Sequence, residues 1–99
     1  IFGCLKNKDH ISFLKNLAPV ASSLSVVEIE NQRSSLTNTV AVSSARKAGW
    51  QKIYSAQNIR DAIKHICSNK KATETHTSIL ICGSLYLAGQ ALKENGAEI

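Results

Sequence analysis

The stretch Thr77-Ser-Ile-Leu-Ile-Cys-Gly-Ser-Leu-Tyr-Leu-Ala-Gly-Gln-Ala-Leu-Lys-Glu-Asn-Gly96 decides the fold. Ile79 to Cys82 is an unbroken apolar run, the pattern of a strand buried on both faces of a parallel sheet. Gly83-Ser84 turns the chain, and Leu85, Ala88, Ala91 and Leu92 then recur at helical spacing. Gly96 after Lys93 and Glu94 reads as the helix stop. In α/β domains a turn of this kind, between the carboxyl end of a strand and the start of a helix, is where ligands bind.

The same alternation extends back to the first residue. Ile1-Phe2-Gly3-Cys4 reads as the end of a buried strand, and Leu5 to His10 as a polar loop. Ile11, Leu14, Leu17 and Ala18 share one helical face, with Asp9 or His10 at its start and Pro19 at its end. Ser23 to Ile29 is β-branched and apolar, as a second strand should be. Leu36, Val40, Val42, Ala45 and Ala48 trace a looser helical face, and the Ala-Arg-Lys-Ala-Gly49 ending has the basic last turn and glycine of a helix C-terminus. Lys52 to Ser55 is a third strand. Ile59, Ala62, Ile63, Ile66 and Cys67 give the cleanest amphipathic helix, with Asn58 as its cap. Ser68 to Thr77 is a polar connector. Strict β-α alternation predicts an α/β domain: a three-layer αβα, mostly parallel, Rossmann-like sheet with right-handed crossovers and helices on both faces.

Composition narrows the function classes. With 99 residues and 43% hydrophobic content, the chain is one small domain with a modest core. That is too little for a large enclosed active site of its own. The net charge of +5 comes from bases scattered through the chain rather than gathered beside aromatic residues. Solvated helix faces account for it better than a nucleic-acid footprint does. Cys4, Cys67 and Cys82 have no paired spacing, and Cys67 and Cys82 fall on apolar faces, which favours buried free thiols and a reducing cytosol. No apolar run is long enough to span a bilayer, and the first residues are unlike a signal peptide. The chain starts without Met inside a strand-like segment, so a domain cut from a longer cytoplasmic protein is expected.

A parallel sheet brings all strand-to-helix loops to one edge. Here those loops carry Lys6, Lys8, Asp9, His10, Arg33, Gln57, Asn58 and Ser84, a cationic and hydrogen-bonding rim suited to a phosphate or carboxylate. Each residue also has a plain structural role open to it. Asp9 and Ser84 can be helix caps, Gly83 can serve only the tight turn, and Arg33 can pair with Glu28 or Glu30. His10, His65 and His76 have no metal-ligand spacing, Ser84 has no Gly-x-Ser-x-Gly elbow, and Gly83 begins no P-loop. No catalytic residue and no metal ligand emerges.

At Ile79-Leu-Ile-Cys-Gly-Ser-Leu-Tyr-Leu-Ala-Gly the chain resembles the end of folylpolyglutamate synthases, including the bifunctional forms that are also dihydrofolate synthases. Phe2-Gly-Cys-Leu-Lys-Asn-Lys-Asp9 resembles that family's strand and Lys-Asp loop, and Gln32-Arg-Ser34 stands where the family commonly has Pro-Arg-Ala. The resemblance spans nearly all of the chain. It implies the C-terminal domain, residues 1–99, of a Mur ligase-type, ATP-dependent amide ligase, with the central ATPase domain and the start of this domain missing. In such enzymes the central domain holds ATP and Mg²⁺ and phosphorylates a carboxylate of folate or dihydropteroate. The amine of L-glutamate then attacks, and the C-terminal domain closes over the cleft. By position, the resemblance puts Ser84 near the glutamate and Lys8, Asp9 and Arg33 along the nucleotide and interdomain cleft.

The family's Asp-Gly-Ala-His-Asn segment and its P-loop are absent from these residues, and Gln32 and Ser34 replace Pro and Ala. The expectations are a monomer that is inactive alone, has no nucleic-acid or membrane partner, and works with the central ATPase domain of its own polypeptide. The alternative is a free-standing small α/β module that binds phosphate or nucleotide. Among rivals, a phosphorelay receiver fails because no lysine follows the last strand. A phosphate-carrying cysteine at Cys4 requires a lowered thiol pKa.

Overall fold

In a computed structural model that describes residues 1–68 and 78–94, the chain begins in the middle of the sheet. Phe2 bridges Val26 on one side and Cys82 on the other, both in parallel. Strand β1 (Leu24–Val26) pairs in parallel with β2 (Ile53–Ser55), Leu24 opposite Ile53. The order across the sheet is therefore the Cys82 segment, the Phe2 segment, β1, β2. Backbone bonds continue the ladder on both sides of Phe2: Phe2 N to Ser25 O at 2.8 Å, Val27 N to Phe2 O at 2.9 Å, Cys82 N to Ile1 O at 3.0 Å and Gly3 N to Cys82 O at 3.2 Å.

Side-chain alternation sorts the core into two layers. Phe2, Cys4, Leu24 and Val26 point to one face, where Leu14 of α1 (His10–Leu17) and Ala41 and Ala45 of α2 (Asn38–Lys47) cover them. Ile1, Val27 and Ile29 point to the other, under Ile59 and Ala62 of α3 (Ile59–Ser68) and Leu87 of α4 (Leu85–Glu94). The expected α/β class, a parallel sheet between helical layers, is what forms.

The helix ends follow their local chemistry. Asp9 caps α1 through Ser12 N at 3.2 Å, and Pro19 sits in a 3-10 turn, Ala18–Val20, beyond it. Thr37 caps α2 through Val40 N at 3.4 Å, and Gly49 at φ 101° follows its last turn. Asn58 accepts from Asp61 N at 2.8 Å while Asp61 accepts from Gln57 N at 3.1 Å, a reciprocal cap on α3. Trp50 Nε1 donates to Leu14 O at 2.9 Å in a buried contact that ties α1 to the end of α2.

Four details differ from the sequence reading. The run from Ile79 reads as buried on both faces, yet Ile79 and Leu80 are 37% and 60% exposed. Their run lies at the edge of the described sheet, and α1 and α2 cover its inner strands. The buried face of α2 is Ala41, Ser44 and Ala45 rather than Val40, which is exposed. Small residues let the helix approach the sheet closely, which outweighs the larger apolar area of valine. Ile11 and Ile63 are likewise exposed, and Cys67, placed by its spacing on the apolar face of α3, is exposed too. The connector from 69 to 77 and the Gly96 stop lie outside the described residues.

Candidate functional site

The Phe2 segment, β1 and β2 follow one another outward, and the Cys82 segment then returns to the opposite side of Phe2. The strand order reverses there, at the point where open parallel sheets place ligands. The two loops that leave this point are Leu5 to Asp9 and Gly83-Ser84. Between them lies a cleft of about 240 Å³ walled by Phe2, Phe13, Lys8, Asp9, His10 and Gly83. Cys4 forms its floor. A larger groove of about 600 Å³ between α3 and α4 is lined by Ile59, Ile63, Ala88 and Leu92. Arg60, Lys64 and Glu94 also stand on its walls, and it lies between the helices rather than at the strand ends, so the smaller cleft is the candidate site.

Gly83 sets the shape of the cleft. Its φ of 103° is a conformation L residues rarely adopt, and a Cβ there would stand 2.6 Å from Gly3 O and 2.9 Å from the Phe2 ring. Phe2 and Phe13 pack with ring centroids 5.7 Å apart and form the apolar wall. Phe13 lies three residues after His10 on one face of α1, a spacing that places both at the cleft.

The expected site residues are partly gathered. Lys8 and Asp9 reach the cleft together, with Lys8 exposed at its rim. Asp9 is a cap: hydrogen bonds from Ser12, through its hydroxyl and its backbone N–H, hold the carboxyl below its ordinary range. That carboxylate already answers the free N–H groups of α1, so an anion here would meet Lys8 rather than a bare helix end. Ser84, half-buried at the head of α4, accepts from Tyr86 N at 3.1 Å. A hydroxyl has one proton to donate as well as lone pairs to accept with, so the cap leaves Ser84 Oγ–H able to reach a carboxylate. Arg33 does not line the cleft. It is exposed one loop away, in the turn joined to the Lys6 loop by Lys6 N to Ser34 O at 2.7 Å. Glu28, one suggested partner for Arg33, accepts from Asn38 N at 3.2 Å.

Cys4 is 2% exposed and burial pushes its thiol up to about 11, the opposite of an activated nucleophile. The phosphate-carrier reading therefore falls. At pH 8, iodoacetamide is expected to modify exposed Cys67 first and Cys4 only as the chain opens; rapid labelling of Cys4 in the folded chain would contradict this. Because the folded thiol titrates above its ordinary value near 9, its contribution to stability is complete below pH 9 and is lost as the pH rises through about 11. Among the described residues, no cluster of three or more His, Cys, Asp or Glu is placed to hold a metal, and no helix is long and apolar enough to cross a membrane.

No protein-family model and no curated protein sequence matches the chain. A solved structure does: folylpolyglutamate synthase of Mycobacterium tuberculosis, crystallised with ADP and AMPPCP, aligns with a TM-score of 0.85 and 27% identity over 98% of this chain. This chain folds like part of that ligase. It spans 23% of that enzyme's length, so the likeness is to one portion of a larger polypeptide.

Proposed function

We propose that residues 1–99 are the C-terminal, glutamate-ligase domain of a Mur ligase-type enzyme that uses ATP to join L-glutamate to folate or dihydropteroate. The observation that carries this reading is the likeness to folylpolyglutamate synthase over 98% of the chain, with the Gly83-Ser84 turn at the point where strand order reverses. The central ATPase domain and the first part of this domain belong, on this reading, to the rest of the polypeptide, and the assembled enzyme works as a cytoplasmic monomer. ATP, when bound, supplies the phosphoryl group that activates the acceptor carboxylate. The Mg²⁺ that accompanies it is held by the central domain.

The residues of this chain then have separate roles. Lys8 offers a cation to phosphate oxygens at the cleft rim. Asp9, its carboxylate ionised, accepts from a neutral or cationic donor and repels a second anion. Arg33 lines the interdomain edge rather than the cleft itself. Ser84 Oγ–H donates to a glutamate carboxylate while its lone pair keeps the cap on α4.

The test uses the complete polypeptide. Ser84→Ala should raise KM for L-glutamate about tenfold with little change in KM for ATP, the loss of one hydrogen bond to a charged group. Lys8→Ala should do the reverse. An unchanged glutamate KM in Ser84→Ala would leave Ser84 a cap only. Residues 1–99 alone should add no glutamate, and ATP-dependent addition by them would overturn the assignment of the missing parts.

A further inference from the structure

His10 joins the cleft to a second helix. Its backbone N–H and its ring Nδ1 both reach Lys8 O, at 2.9 and 3.1 Å, and its Nε2 lies 2.8 Å from Ser44 Oγ on α2. Ser44 is 5% exposed and lies 34 residues away along the chain. A carbonyl can only accept, so Nδ1 must carry the proton. The neutral ring then has its lone pair on Nε2, and the Ser44 hydroxyl donates into it. The carbonyl fixes the direction of the first bond, and in the neutral ring that choice fixes the second.

The consequence falls on Lys8. With its carbonyl engaged by two N–H groups, the Lys8–Asp9 peptide cannot rotate without breaking both. The other tie on the Lys8 backbone is a longer one, Lys8 N to Leu5 O at 3.3 Å within the same loop. His10 is thus the link from the Lys8 carbonyl to the packed helical layer. We propose that His10, anchored by Ser44, is a positioning residue that holds Lys8 at the cleft wall. The functional part of this inference rests on the reading that Lys8 meets the phosphates of a nucleotide. The latch itself does not.

The experiment separates the two. In the ¹⁵N-histidine-labelled chain, long-range proton–nitrogen spectra of the neutral His10 ring should show a protonated Nδ1 and a bare Nε2. Ser44→Ala and His10→Asn should each raise the exchange rate of the residue 10 amide, the N–H that donates to the Lys8 carbonyl, about threefold to tenfold, with no further increase in the double variant, because either change opens the same latch. Ser44→Thr keeps the hydroxyl and should restore slow exchange. Ile66→Val, a change on α3 in the opposite core layer, should lower stability yet leave residue 10 amide exchange as it was. ADP titration of the same proteins should show affinity falling by about the same factor in the two latch variants. A proton on Nε2 of the neutral ring, additive effects of Ser44 and His10, or unchanged residue 10 amide exchange in Ser44→Ala would overturn the latch. If the unaltered chain takes up no ADP while tautomer and exchange behave as expected, the latch stands and the nucleotide reading of the cleft fails.

Discussion

Gly83→Ala is expected to cost about 2–5 kcal/mol of stability, the sum of a Cβ in the left-handed region and a forced displacement of tightly packed neighbours. The atoms in the way are Gly3 O at 2.6 Å, a backbone oxygen of the central strand segment, and the Phe2 ring at 2.9 Å. Neither can move aside like the end of a flexible side chain. Relief requires separating the Cys82 segment from the Phe2 segment, which breaks the bond from Gly3 N to Cys82 O and opens the floor of the cleft. Gly89→Ala is the matched control. Gly89 lies inside α4, and a Cβ added there would meet nothing within 4 Å, so alanine should raise stability by about 0.5–1 kcal/mol. Urea unfolding of the two variants measures both; a neutral Gly83→Ala would show that the turn has room the packing denies it.

Phe2→Ala is expected to cost about 3–5 kcal/mol, as removal of a fully enclosed aromatic usually does. Phe2 is 1% exposed, lies between two parallel neighbours, and belongs to the core formed with Leu14, Val26 and Trp50. It is also the cleft wall against which Phe13 packs. The two consequences separate in Phe2→Leu, which keeps most of the buried volume and loses the ring pair. That variant should recover most of the stability while leaving the cleft less well defined. With a net stability of typically about 5–15 kcal/mol for a domain, Phe2→Ala alone brings the chain near its folding limit.

The parts of the fold legible from local sequence are those settled by neighbours a few residues apart. Asp9, Asn58 and Gly49 act where their residue types and positions predict, because caps and stops depend on three or four adjacent residues. Alternation also suffices for the α/β class. Side-chain exposure at the sheet edge is harder to read. The apolar run from Ile79 to Cys82 gives no sign that it is the outermost described segment, since lateral order is decided by pairings across tens of residues. On α2, Val40 has the larger apolar side chain, but closeness of approach selects the alanines and Ser44 for the core.

The candidate site is legible as a set of loops and less so as a constellation. Lys8 and Asp9 meet because they are adjacent, and Gly83 joins them because the Cys82 segment pairs with Phe2. Arg33 stays one loop away, a distance no motif of three residues could reveal. The bond from His10 to Ser44 links residues 34 apart whose pairing has no sequence signature. The chemistry of each side chain is readable; its neighbours across the sheet are not.

The most direct test of the account is a titration of the ¹⁵N-labelled chain with ADP and with L-glutamate, followed by amide shifts. On the proposed reading the cleft is one wall of a site shared with the central domain, so ligand concentrations on the order of millimolar are needed. ADP should move the amides of Lys8, Asp9 and His10, glutamate should move those of Gly83 and Ser84, and neither should affect α3. Shifts centred on the groove between α3 and α4, with the Gly83-Ser84 turn silent, would contradict the proposed reading.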